Sequence, residues 1–304
     1  MSVKRKKSML KKEIIDFGKG FIFVAPNFIG YLCFTIIPVF ISFMLCFTKW
    51  NINESLSNVK FVGFMYFKQL FSDENFFKSI ENNFTVMLIF VPLSTIIGLF
   101  LAVILNRHVY AKGVLRALFF LPYITNIVAV CTTWTMLYQP SYGPINGFLR
   151  SVGLQNPPGW LVSEKWALLS IIIVFVWINM GYNMVIFMAG LKNIPNEIKE
   201  AATIDGVNSI EMFRYITLPL LSSTTFFVLI TGTISSLKFF TPVSTMTEGG
   251  PGNSTMILAY YLYISAFRFY KLNYSSVIGL ALFLIVLLIT LIQWVGQKKW
   301  VHYT

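Results

Sequence analysis

Few side chains in this sequence can do covalent chemistry, and they do not stand together. Cys33, Cys46 and Cys131 lie apart in apolar runs, with a spacing that suits neither a disulfide framework nor a zinc site. His108 and His302 sit in basic segments, without the partners that a metal centre needs. No Gly-x4-Gly-Lys-Ser/Thr occurs, and Lys19-Gly20 and Lys112-Gly113 do not fit one, so a phosphate-cradling loop is absent. Paired acids and nucleophile–base pairs are missing too. What remains is binding chemistry: polar and aromatic groups set inside apolar stretches. They are Asn126, Thr132 and Thr133; then Trp177, Asn179, Tyr182 and Asn183 near Gly181; then Ser235, Ser236, Lys238 and Phe239. Aromatic plates mixed with amides and hydroxyls suit a solute with apolar C–H faces and hydroxyl edges, as a sugar has. The same residues can equally serve as helix–helix contacts or interfacial belts.

The elements that position them are membrane helices. The chain has 304 residues, of which 56% are hydrophobic, 17% aromatic and only 12% charged. Its mean hydropathy is +0.69. A water-soluble domain carries about 25% charged residues, so a soluble enzyme is excluded, and 30 Phe exclude a disordered chain. A crossing helix needs roughly 20 apolar residues. Six stretches qualify: 21–48, 84–105, 114–138, 167–191, 220–242 and 276–296. The fold class is therefore all-α, a polytopic membrane protein. Residues 1–20 form a basic N-terminal segment. The first stretch follows Lys4-Arg5-Lys6-Lys7 but is too long for a cleaved signal, and no small-x-small site follows it.

The formal charge is +12. With the N-terminus inside, inner segments hold Lys and Arg over outer loops by about two to one, which predicts both termini in the cytoplasm. The charge clusters on no single face, so it marks topology rather than a nucleic-acid surface. No acidic residue falls mid-span, which argues against a proton- or sodium-driven carrier. Rings of charge for an ion filter are missing as well. At 1.5 Å per residue Lys238 lies about 27 Å along the fifth stretch, close to its outer edge. Snorkelling explains it there, and contact with an anionic solute is the sharper alternative.

The inner loop 192–219 is not lipid-compatible. Pro195 suits the first turn of a helix carrying Ile198, Ala201, Ala202 and Ile204. Asp205-Gly206 breaks it, and Asn208 or Ser209 caps a second helix. That helix places Ile210, Phe213 and Ile216 on one side, and Leu218-Pro219 ends it. An apolar face with no membrane to bury it calls for a protein partner.

Glu200-Ala201-Ala202, then Gly206, Ile216 and Leu218-Pro219, resembles the EAA loop of ATP-binding-cassette importer permeases. Thr247-Glu248-Gly249-Gly250-Pro251 and the run from Tyr260 to Phe267 resemble the last outer loop of maltose-transporter F-type sugar permeases. Leu121-Pro122-Tyr123, Trp134 and Gly143-Pro144-Ile145-Asn146 resemble that group's third-span region, and Pro26 and Pro38 suit its first span. One departure is the lack of a domain inserted in the short outer loops.

The resemblance implies a type I importer permease in a bacterial plasma membrane, its domain covering 21–304. Glu200, Ala201, Ala202, Asp205, Gly206, Phe213, Ile216, Leu218 and Pro219 would form the coupling helix that docks in a cleft of a separate ATPase. The implied partners are two such ATPases, a second permease subunit, an extracytoplasmic binding protein and a sugar. This chain would hold no cofactor, ATP and Mg being bound by the ATPase. The family places sugar contacts in spans four and five, which points to Tyr182, Asn183, Ser235 and Ser236. The alternatives are the same machinery with an anionic cargo such as glycerol phosphate or an acidic oligosaccharide, a secondary carrier or channel, and, weakest, a membrane-embedded enzyme.

Overall fold

The computed structural model describes residues 20–21, 23–51, 55–106 and 110–301. Most of the basic N-terminal segment, with Arg107, His108 and His302, lies outside the described residues. Four helices are long and apolar enough to cross a membrane: α1 (Phe23–Leu45), α2 (Glu74–Asn106), then Glu164–Lys192 and Leu272–Lys299. Two bent pairs complete six spans. One is α3 (Lys112–Ile124) with α4 (Ile127–Leu137). After α5 (Glu164–Lys192) and α6 (Asn196–Ile204), the other is α7 (Ser209–Leu220) with α8 (Ser222–Leu237). A short helix, α9 (Leu258–Tyr263), leads to α10 (Leu272–Gly296).

The sequence alone places several boundaries wrongly. The second span begins at Glu74, ten residues before the apolar run at Phe84, because its polar first turns find partners within the protein. The third span is two helices meeting at 96°. The Asn126 side chain accepts hydrogen bonds from the N–H groups of Val128 and Ala129, at 2.9 and 3.3 Å, and so starts a new helix. The fifth span bends by 64° at Leu221 and stops at Leu237, so Phe239 and Pro242 lie beyond it and Leu218-Pro219 lies inside α7 instead of ending it.

The core is built around α2 and α5, which run side by side. Apolar burial drives little association between helices already in lipid, so close packing and polar contacts decide the arrangement. Two glycines allow it. A Cβ on Gly98 would lie 2.5 Å from the Asn183 Cβ, and one on Gly181 would lie 1.9 Å from the Phe119 carbonyl oxygen. Aromatic rings fill the centre: Phe90 stacks on Phe175 at 4.1 Å, and Phe175 meets Phe239 at 4.4 Å. A second cluster, toward the α6–α7 end, gathers Ala102, Leu105, Met184, Phe187, Leu191, Ile194 and Leu221. Helix α1 is peripheral, exposing Phe23, Phe34 and Phe40 on its flanks, as a lipid-facing helix does.

The opposite end carries a hairpin, β1 (Thr48–Lys49) and β2 (Lys60–Phe61), and is locked by buried amides. Asn82 donates to the carbonyls of Asn253 and Met256 at 3.1 and 2.7 Å. Asn83 donates to Leu237 at 3.2 Å and accepts from the Leu258 N–H at 2.8 Å. The hydroxyls of Tyr261 and Tyr274 both donate to Asp73. Burial, and then the Asp73 acceptor, push the Tyr261 hydroxyl up to about 12. The Thr247–Pro251 motif is a tight loop in this lock: Thr247 and Thr255 hydroxyls lie 2.8 Å apart, Thr255 donates to the Gly250 carbonyl at 2.9 Å, and Arg268 pairs with Glu248 at 2.7 Å.

Candidate functional site

The first candidate region is the elbow formed by α6 and α7. Pro195 is the N-cap of α6 rather than a residue of its first turn. Helix α6 ends in a double backbone closure: the Gly206 N–H donates to Thr203 at 3.1 Å, and the Val207 N–H to Ala202 at 3.1 Å. That closure needs a left-handed residue at Gly206, whose φ is +78°. Asn208, not Ser209, caps α7. Its side chain accepts from the N–H groups of Ile210 and Glu211, both at 3.0 Å, and Glu211 accepts from the Asn208 N–H at 3.0 Å. The chain thus turns through local hydrogen bonds alone, and the turn is prebuilt.

The elbow's root is buried and its tip is bare. Ile194 and Ala202 are buried, anchoring α6 to the end of the bundle. Glu200, Ala201 and Asp205 are exposed. Ile204, Ile210 and Tyr215 are 86%, 78% and 67% exposed. Phe213 and Ile216 are half-buried, so they do not share a face with Ile210. The cause is a π-helical stretch from Met212 to Thr217, which shifts the side-chain spacing and brings Tyr215 outward instead. Leu218 remains 40% exposed, while Pro219 is half-buried. The tip is an apolar patch in a polar frame.

The second candidate region is the polar set in the spans, which the structure divides. Asn179 donates to the Phe175 carbonyl at 2.8 Å, a bond within its own helix. Asn183 is buried against Gly98. Ser236 is buried and donates to the Thr233 carbonyl at 2.8 Å, and Phe239 belongs to the aromatic core. Asn183, Ser236 and Phe239 are buried within this chain, while Asn179 stays half-buried. Tyr182 stacks on Tyr123 at 4.7 Å, and Trp177 meets Trp134 edge-on at 5.5 Å, both pairs half-open to the surface. Asn126, Thr132, Thr133, Ser235 and Lys238 are exposed. Tyr123 joins this set as the ring against which Tyr182 rests, and its place directly after Leu121-Pro122 was the sequence signal for it.

Lys238 is the C-cap of α8. Thr233, five residues before it, accepts a hydrogen bond from Gln293 at 2.8 Å, and Phe226 meets Trp300 at 6.1 Å. Helix α8 therefore lies along the far half of the last helix. Counted along α2, the Asn83–Leu237 contact is about 14 Å from Glu74 and adjoins Phe84, where the apolar run begins. Lys238 is exposed there and makes no ion pair among the described residues.

Residues 94–298, which include the elbow, match the family described as "Binding-protein-dependent transport system inner membrane component". The chain is 38% identical to the probable ABC transporter permease protein YesP of Bacillus subtilis (strain 168), over 99% of this chain and 96% of that protein. It is 32% identical to the lactose transport system permease protein LacF of Rhizobium radiobacter, over 92% of this chain and 94% of that one. The fold matches, at a TM-score of 0.81 and 21% identity, a chain in the crystal structure of a bacterial ABC transporter involved in the import of the acidic polysaccharide alginate. That match covers 96% of this chain and 99% of the other. A bent, apolar-tipped elbow on six membrane spans, matched along nearly the whole chain, places this protein in the family of binding-protein-dependent transport system inner membrane components.

Proposed function

We infer that this chain is the permease subunit of an ATP-binding-cassette importer and forms half of the path for a sugar or oligosaccharide. The observation that carries the reading is the elbow. Ile204, Ile210 and Tyr215 stand bare on a turn held rigid by its own caps, which suits insertion into a cleft of a separate protein. That protein is a cytoplasmic ATPase, present twice and holding the ATP and Mg. Both termini of this chain then lie inside, and the elbow transmits ATPase closure as rigid-body rocking of the spans. A second permease subunit covers the exposed flank of α3 and α4, and an extracytoplasmic binding protein delivers the cargo to the hairpin end.

A sugar is favoured by the lactose permease relative and by the rings that stay half-open, Tyr123, Tyr182, Trp134 and Trp177, beside the hydroxyls of Thr132, Thr133 and Ser235. Asn183 and Ser236, buried inside the chain, act by shaping the wall rather than by touching cargo. The test is transport into proteoliposomes holding the chain, its partners and a labelled oligosaccharide. Uptake requires ATP and stops in Glu200→Ala or Gly206→Leu while the protein still inserts. Uptake without nucleotide would refute the reading and favour a secondary carrier.

A second cargo reading rests on Lys238. Lys238 is exposed at the C-cap of α8 with no ion pair among the described residues, and unpaired ionisable groups of membrane spans mark solute paths. An anionic saccharide or phosphate would neutralise it in transit. Lys238→Ala then abolishes uptake of the anionic solute but leaves a neutral sugar largely unaffected.

A further inference from the structure

At the hairpin end, where α1 ends and α10 begins, a half-open cleft of about 610 Å³ is lined by Lys49, Lys60 and Lys271 with Trp50, Tyr66 and Tyr270. Among the described residues no acidic side chain lines it, and none of the three lysines forms an ion pair. The charge arrangement of the cleft is unfavourable without an anion in it, and its backbone is strained. Lys49 sits directly across the two-stranded ladder from Lys60, an arrangement in which like charges repel. Tyr270, beside Lys271, is held at a φ of +56°, a left-handed conformation that a bulky side chain adopts only under constraint.

The walls are fixed in advance. The buried Asn273 side chain donates to the carbonyls of Leu45 and Thr48 at 3.1 and 2.6 Å and accepts from the Trp50 N–H at 3.2 Å. It therefore ties the end of α1 to the start of α10, and the hairpin hangs between them. The cleft opens where two lipid-facing helices end, with Phe61, Phe64, Phe269 and Tyr270 at 79%, 66%, 58% and 70% exposure around it. Exposed aromatic rings at the ends of spans mark the headgroup level of a bilayer.

We propose that Lys49, Lys60 and Lys271 hold the phosphate of an anionic phospholipid headgroup in this cleft. The lipid's chains would run down the exposed flanks of α1 and α10. The lysines supply point charges to the phosphate, and the tyrosine and tryptophan edges supply interfacial contact. The site is independent of cargo, so it stands or falls separately from the transport reading.

Native mass spectrometry of the full-length chain in mild detergent tests this, with phosphatidylglycerol and phosphatidylcholine of matched chains as probes. The wild type should retain phosphatidylglycerol more tightly, and Lys60→Gln or Lys271→Gln should each weaken it about fivefold without changing phosphatidylcholine retention. Lys60→Arg should keep the preference, which separates loss of charge from loss of fold. Lys165→Gln, the same charge change in another loop, should keep it too. Equal retention of the two lipids by the wild type, or an equal loss in Lys165→Gln, overturns the proposal. Displacement of the lipid by millimolar inorganic phosphate also overturns it, because the cleft would then take the free anion.

Discussion

The Asn83 amide nitrogen lies 3.2 Å from the Leu237 carbonyl oxygen, and this contact fixes where the fifth span stops. The last carbonyls of a helix have no partner within it, and in a membrane they must find one. Asn83 supplies it from the neighbouring span while its own oxygen caps the start of α9. Replacing Asn83 by Ala leaves buried groups unpaired and should cost about 1–3 kcal/mol. Thermal unfolding of the purified chain should show a lower midpoint in Asn83→Ala. Substitution of the exposed Asn75 nearby should do less.

Gly181 is a contact point between helices. Its missing Cβ makes room for the Phe119 backbone, which cannot rotate away as a side chain tip would. Gly181→Ala should destabilise by about 1–3 kcal/mol or more through overpacking and reduce the yield of folded protein. Gly296→Ala, where a new Cβ meets nothing within 4 Å, should be neutral in the same thermal assay.

Gly206 has open space around it, so a substitution there tests conformation rather than crowding. With φ at +78°, Gly206→Ala should cost about 1–2 kcal/mol locally and loosen the elbow. Gly206→Asn should retain more function, since Asn tolerates this region. ATP-driven uptake should fall in the order Gly, Asn, Ala, while whole-chain melting shifts little. Equal uptake across the three would mean that the elbow's shape is unimportant.

The pH response of the hairpin end follows from Tyr261. Its hydroxyl is pushed up to about 12, first by burial and then by donation to Asp73. A raised native value means that the stabilisation is full below the ordinary tyrosine value near 10 and is lost as pH climbs through 12. Melting temperature should be level from neutral pH to about 10 and fall between 10 and 12. Tyr261→Phe should start lower and show a shallower fall.

The long apolar runs announced six crossings because hydrophobic length is a local property. The elbow was legible in outline, since Gly206 and a cap at Asn208 or Ser209 act through bonds to immediate neighbours; that Asn208 is the cap, paired with Glu211, only the structure showed. Interruptions were harder to see. Asn126 inside an apolar run reads as a polar contact, and only its use as a cap reveals the 96° bend. The π turn at Met212–Thr217 has no residue signature, so the placement of Phe213 and Ile216 beside Ile210 failed. The stop of the fifth span at Leu237, just before Lys238, depends on Asn83, more than 150 residues away in sequence. The buried places of Ser236 and Phe239 likewise follow from packing between distant segments.

The elbow's docking on a separate ATPase is most directly measured by crosslinking. In a background with the exposed Cys33 replaced by Ser, Ile204→Cys and Ile210→Cys are paired with cysteines placed in the ATPase cleft and oxidised in native membranes. The account predicts a disulfide-linked permease–ATPase band that changes with nucleotide, and no labelling of either cysteine by an impermeant thiol reagent added to intact cells. Labelling from outside, or the absence of any band with the partner ATPase, would contradict it.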